Sequence, residues 1–298
     1  MIEPVLVTGA PGSVGTPLVE GLLAAGVTVR VAAHSVDRAT RLAAAGAEVV
    51  RFDMTDPAMF GAFDGIRRMF LLRPPAIADV DGVIVPAIAA ARARGVEHIA
   101  FLSIQGAERN RLVPHRAVED HLRRNGPDWT FVRASYFMQN LAATHLADIV
   151  ERDEIFIPAG RRSMTAHVDA RDVAAVAFRA LTEAGHTGQA YTPTGPRAIT
   201  YDECATILSV VTGRSIRYAD PVPWTYWRRM GARGMPIGMR AVTLGIYTAA
   251  RFGLAAALTD DVRRLTGRPP IDFADFAIAY REVWERPGAP LERPAGLR

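Results

Sequence analysis

Val5-Leu6-Val7-Thr8-Gly9-Ala10-Pro11-Gly12-Ser13-Val14-Gly15 is the stretch that decides the fold. An apolar run passes directly into three glycines spaced three residues apart, which predicts a strand, a tight turn and the start of a helix. Gly9 lets the backbone turn sharply, Gly12 lets it approach a pyrophosphate, and Gly15 lets the helix lie close to the sheet. The free N–H groups of that helix would face the anion. The stretch therefore predicts nucleotide binding, and a glycine-rich turn without a ligand is the alternative.

Beyond this turn the chain alternates between extended and helical segments. Strands separated by helices of about 10–15 residues imply right-handed crossovers and a parallel sheet covered on both faces. We therefore predict an α/β fold, a Rossmann-type doubly wound parallel sheet with a smaller C-terminal substrate-binding region. The predicted strands are 5–8, 28–33, 47–52, 68–72, 98–102 and 129–132, and the predicted helices include 80–94, 115–125 and a short one opened by Pro57 behind a Thr55 or Asp56 cap.

The alternation loosens after residue 137, and this predicts a division of the chain. Residues 1–137 are predicted to form the dinucleotide-binding core, and residues 138–285 a mixed substrate-binding region that contributes some elements back to the core. Residues 286–298 are rich in Pro, Gly and Arg and predict a flexible tail. In the second region we expect helices over 138–151, 172–182 and 201–212, an extended segment over 155–158 and a strand over 189–192.

The segment 221–259 combines tryptophans, methionines and glycines, a composition that suits a mobile apolar lid or pocket wall. Plain helical packing is the alternative. Its most apolar tract, 241–258, contains Arg251, so we expect a buried or pocket-lining helix rather than a membrane span, which needs about 20 uninterrupted apolar residues.

Composition narrows the chemistry of the protein. All 35 basic residues among the 298 are arginines, so no lysine can act as base, Schiff-base former or cofactor anchor. The single cysteine, Cys204, excludes an internal disulfide and fits a reducing cytoplasm, where we expect the protein to be located. The arginines are scattered without interleaved aromatics, and the histidines have no paired ligand spacing. We therefore expect neither nucleic-acid binding nor a metal site.

Ligands of a doubly wound sheet lie at the carboxyl ends of its strands. Six places in the sequence leave predicted strands and would converge on one cleft. They are Gly9–Gly15, His34–Arg38, Asp53, Leu72–Pro74, Ser103 and 134–137.

The residue that ends the second strand discriminates between the two nicotinamide dinucleotides. A carboxylate there would bind the ribose 2′-hydroxyl of NAD, whereas a basic or small polar group admits the phosphate of NADP. The chain has His34 and Ser35 at this place, with Arg38 one helical turn later. NADP(H) is therefore favoured, with NAD(H) as the alternative.

Six stretches of sequence are characteristic when taken together, at residues 9–15, 53–56, 119–122, 129–133, 136–140 and 266–270. In these motifs the chain resembles the NmrA-like atypical short-chain dehydrogenases, a group that includes NAD(P)H:quinone reductase-type proteins. The similarity runs from residue 4 to about 285. It implies a Rossmann-type NAD(P) domain, an adenine contact at Asp53 with Met54 beside it, and nicotinamide walls from Leu72, Arg73, Pro74, Ser103, Ser135, Tyr136 and Phe137. Members commonly have arginine where this chain has His34.

The resemblance also identifies candidate catalytic residues. Ordinary short-chain dehydrogenases use a serine, a tyrosine and a lysine that lies four residues after the tyrosine. Here Ser103 matches the serine, while His115 and Glu119 stand in the places of the other two. If the segment is helical, His115 and Glu119 lie on the same face. Glu119 could then raise the pKa of His115 and make it a proton donor. The alternatives are that His115 only binds the nicotinamide ribose and that Glu119 is a solvated charge. Tyr136 completes the catalytic candidates.

These observations favour an oxidoreductase that passes hydride to a small, apolar, conjugated acceptor such as a quinone or enone, because such acceptors need little help from a protein acid. A non-catalytic NAD(P)-sensing regulatory protein of NmrA type is the second reading, and an epimerase or dehydratase with tightly held NAD is the third. The expected partner is a small molecule, with no nucleic acid and no membrane, and a homodimer is left open.

Overall fold

The computed structural model describes residues 4–285, in which extended and helical segments alternate. The strands are β1 (Val5–Thr8), β2 (Val29–Ala33), β3 (Glu48–Arg51), β4 (Arg68–Leu72), β5 (His98–Ile104), β6 (Asp128–Ala134), β7 (Glu154–Ile155), β8 (Met164–Thr165), β9 (Gln189–Tyr191), β10 (Ile199–Thr200) and β11 (Arg217–Tyr218). The α-helices are α1 (Gly15–Ala24), α2 (Thr40–Ala44), α3 (Val85–Ala93), α4 (Pro114–Asn125), α5 (Leu146–Arg152), α6 (Ala170–Thr182), α7 (Tyr201–Thr212), α8 (Pro223–Ala232), α9 (Ile237–Arg251), α10 (Asp261–Thr266) and α11 (Phe273–Ala279).

A seven-stranded sheet has the order β3-β2-β1-β4-β5-β6-β9, and each neighbouring pair is parallel. Val5 of β1 lies opposite Val29 of β2 on one side and Arg68 of β4 on the other. The direction of strand addition reverses between β1 and β4, so their carboxyl ends form the topological switch point where such sheets bind ligands. The predicted α/β doubly wound fold is confirmed.

Both faces of this sheet are covered, because parallel strands that are apolar on both sides must bury both. On one face α3 and α4 pack through Ile88 and Leu122 onto strand residues that include Leu71, Phe101 and Phe131. On the other face α1 and α6 pack against each other and against the strands. The strand ends are consequently held on a rigid platform.

The chain divides into two compact units, each made of several segments. The first contains the residues up to Ser135, Ala170–Pro193 and Thr259–Pro269. The second contains Tyr136–Asp169, Thr194–Leu258 and the residues from Pro270. Helix α6 and strand β9 therefore belong to the unit that carries the glycine turn.

The second unit is built around two short strand pairs and an aromatic core. β7 pairs in parallel with β11, and β8 pairs antiparallel with β10. Helix α7 begins with a capping box, in which Thr200 and Glu203 each satisfy the other's backbone N–H, and ends at Gly213 with φ +68°. The predicted helix 201–212 is confirmed. The core buries Tyr201, Tyr226, Phe273, Phe276 and Trp284.

The predicted continuous helix 138–151 is wrong. The chain forms one 3₁₀ turn at Met138–Asn140 and then α5, which begins only at Leu146. The Met138 N–H donates to the Val168 carbonyl, and the His145 N–H returns to the Asn140 carbonyl. These backbone bonds close a loop in place of helical turns.

The buried or pocket-lining helix expected over 241–258 forms only as far as Arg251, and its expected burial is wrong. Helix α9 ends at Arg251, and Tyr247 and Ala250 are its buried residues. Phe252 and Leu254 follow the helix with 75% and 73% of their surface exposed. The apolar composition of this tract therefore does not reflect burial. Within residues 4–285, none of the helices has the length and apolar character needed to cross a membrane.

Candidate functional site

The glycine turn between β1 and α1 leaves no room for side chains at its three glycines. Gly9 has φ +75°, a left-handed conformation that favours glycine. A Cβ on Gly12 would lie 2.5 Å from the Gly9 carbonyl oxygen, and one on Gly15 would lie 2.7 Å from the same atom. No side chain caps the first turn of α1. The sequence therefore keeps backbone N–H groups at this helix start free of side-chain caps, an arrangement that suits an anion.

Thr8 fixes this turn to the neighbouring strand, a role that the sequence analysis missed. Its hydroxyl donates to the Phe70 carbonyl at 3.0 Å and accepts the Leu72 N–H at 2.8 Å. A Cβ on Gly9 would lie 2.8 Å from the Leu72 side chain. The ends of β1 and β4 are thus joined at the switch point. A polar residue that closes an apolar strand is the signal that could have revealed it.

The ends of β2 and β3 bring a histidine and a carboxylate together. His34 Nδ1 lies 3.5 Å from Asp53 Oδ2, and the His34 side chain is 82% exposed. Asp53 accepts hydrogen bonds from the Thr55 hydroxyl and N–H, at 2.7 and 2.9 Å, which lower the pKa of its carboxyl. A carboxylate is therefore close to the end of β2 even though positions 34 and 35 lack one.

Three other residues predicted in this region differ in exposure. Ser35 is half-buried and Arg38 is exposed. Met54 has only 6% of its surface exposed and packs in the core beside Phe52. Of these side chains, Arg38 offers the accessible positive charge.

Arg73 folds back onto the loop that follows β4. Its guanidinium donates to the carbonyls of Pro74 at 3.0 Å and Ile77 at 2.5 Å. Burial lowers the pKa of Arg73. Leu72, Arg73 and Pro74 are all half-buried. This arginine therefore stabilises the loop beside the glycine turn.

A buried ionic cluster occupies the ends of β5 and β6. Ser103 donates its hydroxyl hydrogen to Glu119 at 2.7 Å, and Arg133 binds both oxygens of Glu119 at 2.9 and 2.7 Å. Glu119 has 0% of its surface exposed. Arg123 adds a contact of 3.2 Å to Glu119, and Glu108 lies 3.2 Å from Arg133. The proton of Ser103 is therefore already committed to a carboxylate.

This cluster corrects the prediction that Glu119 raises the pKa of His115. Glu119 is bound to Ser103 and Arg133, and burial together with the positive charge of Arg73 lowers the pKa of His115 to about 4. Nδ1 of His115 is buried without a hydrogen-bond partner in residues 4–285. His115 is neutral at pH 7 and can donate or accept a hydrogen bond, but it carries no charge for proton donation. The alternative of a solvated Glu119 is wrong as well.

Ser135, Tyr136 and Phe137 follow β6 and fall on both sides of the division between the units. In the first unit Ser135 is buried, its N–H donates to the Pro193 carbonyl, and its hydroxyl has no partner in the described part of the chain. In the second unit Phe137 pairs with Val168 through a β-bridge. Tyr136 is half-buried, and its hydroxyl lies 3.0 Å from that of Tyr247.

Tyr247 and His145 extend this contact within the second unit, and sequence reasoning missed both. The Tyr247 hydroxyl lies 2.5 Å from His145 Nε2. The ring of His167 packs edge-on against Tyr136, with centroids 5.5 Å apart.

A group of three or more side chains suited to hold a metal ion is not found in residues 4–285.

Buried histidines make the stability of this protein sensitive to acid. Burial lowers the pKa of His98, His115 and His145 to about 4 and that of His167 to about 3, from 6.5 in the unfolded chain. The unfolded state therefore binds more protons, and stability that is complete above pH 6.5 is lost as the pH falls toward 4.

We expect the urea midpoint to fall steadily between pH 6.5 and 4.5. His167→Gln should flatten the dependence by about one proton, or ~1.4 kcal/mol per pH unit. His34→Gln, at an exposed position, is the control that should keep the wild-type slope. An unchanged slope in His167→Gln would contradict a buried neutral histidine at this position.

The chain matches a known protein family over most of its length. The model of the NmrA-like family matches residues 1–252. The chain belongs to the NmrA-like family. The predicted membership is thereby confirmed.

Several known proteins are similar to this chain over nearly their full length. The NAD(P)H azoreductase of Xenophilus azovorans is 32% identical over 286 residues, which cover 93% of this chain and 97% of the relative. The structure of Citrobacter sp. triphenylmethane reductase complexed with NADP(H) has a TM-score of 0.80 and 27% identity, covering 93% of this chain and 99% of the other. The structure of Escherichia coli NADPH-dependent quinone oxidoreductase QOR2 complexed with NADPH has a TM-score of 0.80 and 25% identity, covering 92% and 98%.

Proposed function

We propose that this protein is an oxidoreductase that uses NADPH to reduce a small, apolar, conjugated carbonyl compound or quinone. The observation that carries the proposal is the glycine turn at the switch point between β1 and β4, where Cβ atoms on Gly9, Gly12 and Gly15 would each meet another atom within 3 Å. A turn with such close backbone packing fits a pyrophosphate. The reductase activities of the similar proteins above support the same reaction class.

The residues present fit a nicotinamide dinucleotide. Bound NADPH would supply the hydride. We assign the pyrophosphate to Gly9, Gly12, Ser13, Val14 and Gly15, the adenosine to His34, Ser35, Arg38, Asp53 and Met54, and the nicotinamide to Leu72, Arg73, Pro74, Ser103, Ser135, Tyr136 and Phe137. Within this assignment residues 1–137 bind the cofactor and residues 138–285 bind the acceptor.

The roles of the candidate catalytic residues follow from their partners. Glu119 binds both Ser103 and Arg133 and thereby joins the ends of β5 and β6. His115, which is neutral at pH 7, is assigned a hydrogen bond to a ribose hydroxyl. Tyr136 has its pKa raised by burial, so it stays protonated and donates a hydrogen bond to the acceptor oxygen.

NADPH oxidation followed at 340 nm with a panel of quinones, enones and ketones tests the proposal. We expect turnover with conjugated acceptors, and transfer of deuterium from C4-deuterated NADPH to the product. Tight cofactor binding without turnover across the panel would overturn it and favour the NAD(P)-sensing regulator, while NAD⁺ retained through purification would favour the epimerase. A cytoplasmic location and a homodimer stay predictions.

Arg38 is proposed to select NADPH over NADH. It is exposed beyond the end of β2, where the 2′-phosphate would lie. A charge-assisted hydrogen bond contributes about 1.5 kcal/mol, so Arg38→Ala should raise the Kd for NADPH about tenfold. The Kd for NADH should stay constant.

Arg41→Ala is the matched control for Arg38, because Arg41 is exposed on the same segment but binds Glu20 at 2.9 Å. Both constants can be measured by titrating the quenching of tryptophan fluorescence. Equal weakening of NADPH and NADH in Arg38→Ala would contradict the assignment of this arginine to the phosphate.

A further inference from the structure

Three side chains of the second unit form a line of hydrogen bonds. The Tyr136 hydroxyl lies 3.0 Å from the Tyr247 hydroxyl, which lies 2.5 Å from Nε2 of His145. His145 has 0% and Tyr247 has 2% of its surface exposed, whereas Tyr136 is half-buried. Two members are thus sealed from water, and the third keeps part of its surface exposed.

The free nitrogen of His145 sets the direction of these hydrogen bonds. Its Nδ1 is buried and has no hydrogen-bond partner in residues 4–285. Burial lowers the pKa of His145 to about 4, so the ring carries one proton at pH 7. A buried N–H without an acceptor is rarer in proteins than an acceptor without a donor. The proton therefore lies on Nε2, where the Tyr247 oxygen accepts it.

The remaining two hydrogens follow from this one. Since the Tyr247 oxygen receives a hydrogen from His145, its own hydroxyl hydrogen is free to point to the Tyr136 oxygen. The Tyr136 hydrogen then points away from Tyr247, and the Asn140 and Tyr201 side chains are the other hydrogen-bond neighbours of this hydroxyl in the second unit. Burial also raises the pKa of both tyrosines, which keeps them protonated as this arrangement requires.

We infer that His145 and Tyr247 are positioning residues that turn the Tyr136 hydroxyl into an outward hydrogen-bond donor for the oxygen of the acceptor. The inference rests on the proposed function. It restricts the substrate class to acceptors that develop negative charge on an oxygen during reduction, such as quinones and enones.

The electron count of this step is simple. The C4–H bond of the dihydronicotinamide would break and its electron pair would leave with the hydrogen, so that NADPH is oxidised to NADP⁺. A new C–H bond forms on the acceptor, and the π electron pair of the acceptor moves onto its oxygen. The Tyr136 O–H stabilises that oxygen through a hydrogen bond, and the hydrogen bond from Tyr247 in turn polarises the Tyr136 hydroxyl. The proton that finally neutralises the oxygen comes from water.

Neighbouring rings hold the line in place. His167 packs edge-on against Tyr136, with an interplanar angle of 78°. Tyr226 packs edge-on against Tyr247 at 5.6 Å between centroids. Phenylalanine at position 136 or 247 would keep these ring contacts, so the hydroxyl can be removed while the packing is preserved.

Steady-state kinetics of Tyr136→Phe and Tyr247→Phe test the inference. Loss of one donor to a developing oxyanion lowers kcat by about 100-fold, which we expect for Tyr136→Phe. Tyr247→Phe should lower kcat about five- to tenfold with unchanged KM values. The double variant should match Tyr136→Phe, because both changes remove the same interaction.

His145 and Tyr218 provide the matched variants. His145→Gln keeps a donor at the place of Nε2 and should retain most of kcat, whereas His145→Leu should resemble Tyr247→Phe. Tyr218→Phe removes a hydroxyl of the same core that donates to the Ile157 carbonyl, outside the line. A kcat of Tyr247→Phe equal to that of Tyr218→Phe would overturn the inference.

The ¹⁵N spectrum of histidine side chains gives a readout that does not depend on turnover. Among the signals of the seven histidines, we expect one signal of a neutral ring in the Nε2–H form that is absent from the spectrum of His145→Gln and shifted in that of Tyr247→Phe. An Nδ1–H form for His145 would reverse the line and overturn the inference. If the wild type oxidises no NADPH with any acceptor, the proposed function fails, and this spectrum still decides the direction of the hydrogen bonds.

Discussion

Replacing Gly12 by alanine is expected to raise the Kd for NADPH at least about 100-fold. The new Cβ would lie 2.5 Å from the Gly9 carbonyl oxygen, a backbone atom that can move only with the turn itself. Moving the turn displaces the N–H groups that would bind the pyrophosphate. Two charge-assisted hydrogen bonds of about 1.5 kcal/mol each correspond to roughly 100-fold in Kd. Isothermal titration with NADPH measures the change.

Gly21→Ala is the control for this variant, because Gly21 lies in α1, the helix that follows the turn, and its Cβ would meet only the Phe178 ring at an ordinary 3.8 Å. It should bind NADPH as the wild type does and gain about 0.5–1 kcal/mol of stability from the helix propensity of alanine. Gly12→Ala should lose about 1–3 kcal/mol from overpacking and still fold. A folded Gly12→Ala protein with the wild-type Kd would mean that the dinucleotide binds elsewhere.

The sheet could be predicted because its signals are local. Strands β1, β2, β4, β5 and β6 each contain an apolar run that leads to a glycine or a polar residue. Each strand end predicted for β1 to β6 lies within two residues of its observed place. Helix α7 has both of its ends encoded within a few residues, by Thr200 and Glu203 at the start and Gly213 at the end. Such features need no knowledge of distant parts of the chain.

The site could be predicted only in part, because its side chains meet across long separations. Tyr136 and Tyr247 are 111 residues apart, and no spacing in the sequence connects them. The helical spacing of His115 and Glu119 correctly implies one face of α4, but it does not show that Glu119 is buried against Ser103 and Arg133. Periodicity predicts which direction a residue faces and not which distant charge it meets.

One residue of β6 could have signalled the ionic cluster. Arg133 directly follows the mostly apolar run Thr130-Phe131-Val132, and only 9% of its surface is exposed. A charged side chain in a central strand requires a buried partner of opposite charge. In α4 the candidates were Glu119 and Asp120, and only contact with the neighbouring strand decides between them.

Replacing Glu119 by glutamine is expected to lower the free energy of unfolding by about 3 kcal/mol, because removal of one partner leaves a buried charge uncompensated. Arg133 would lose the negative charge of its partner and one of two acceptor oxygens, because glutamine has an NH₂ group in place of the second oxygen. It would keep one contact with Glu108, whose side chain is 34% exposed. Ser103 would lose its anionic acceptor. Urea unfolding at pH 7 measures the loss.

The neighbouring carboxylate on the same helix provides the control. Asp120 pairs with Arg116 at 2.8 Å and with Arg123 at 3.3 Å, and its side chain is 33% exposed. Partly exposed pairs contribute about 1 kcal/mol or less, so Asp120→Asn should change the urea midpoint little. Equal losses of unfolding free energy in Glu119→Gln and Asp120→Asn would contradict the larger cost expected for leaving a buried charge without its partner.

The double variant Glu119→Leu/Arg133→Met separates the cost of an unpaired charge from the worth of the pair. Replacing a buried ion pair by apolar side chains of similar volume is often neutral or stabilising, because neither charge must then be taken out of water. We expect the double variant to recover most of the stability lost in Glu119→Gln. If it is as unstable as the single variant, the pair itself stabilises the ends of β5 and β6. In that case the Ser103–Glu119–Arg133 cluster is retained for stability rather than for the geometry it imposes on the site.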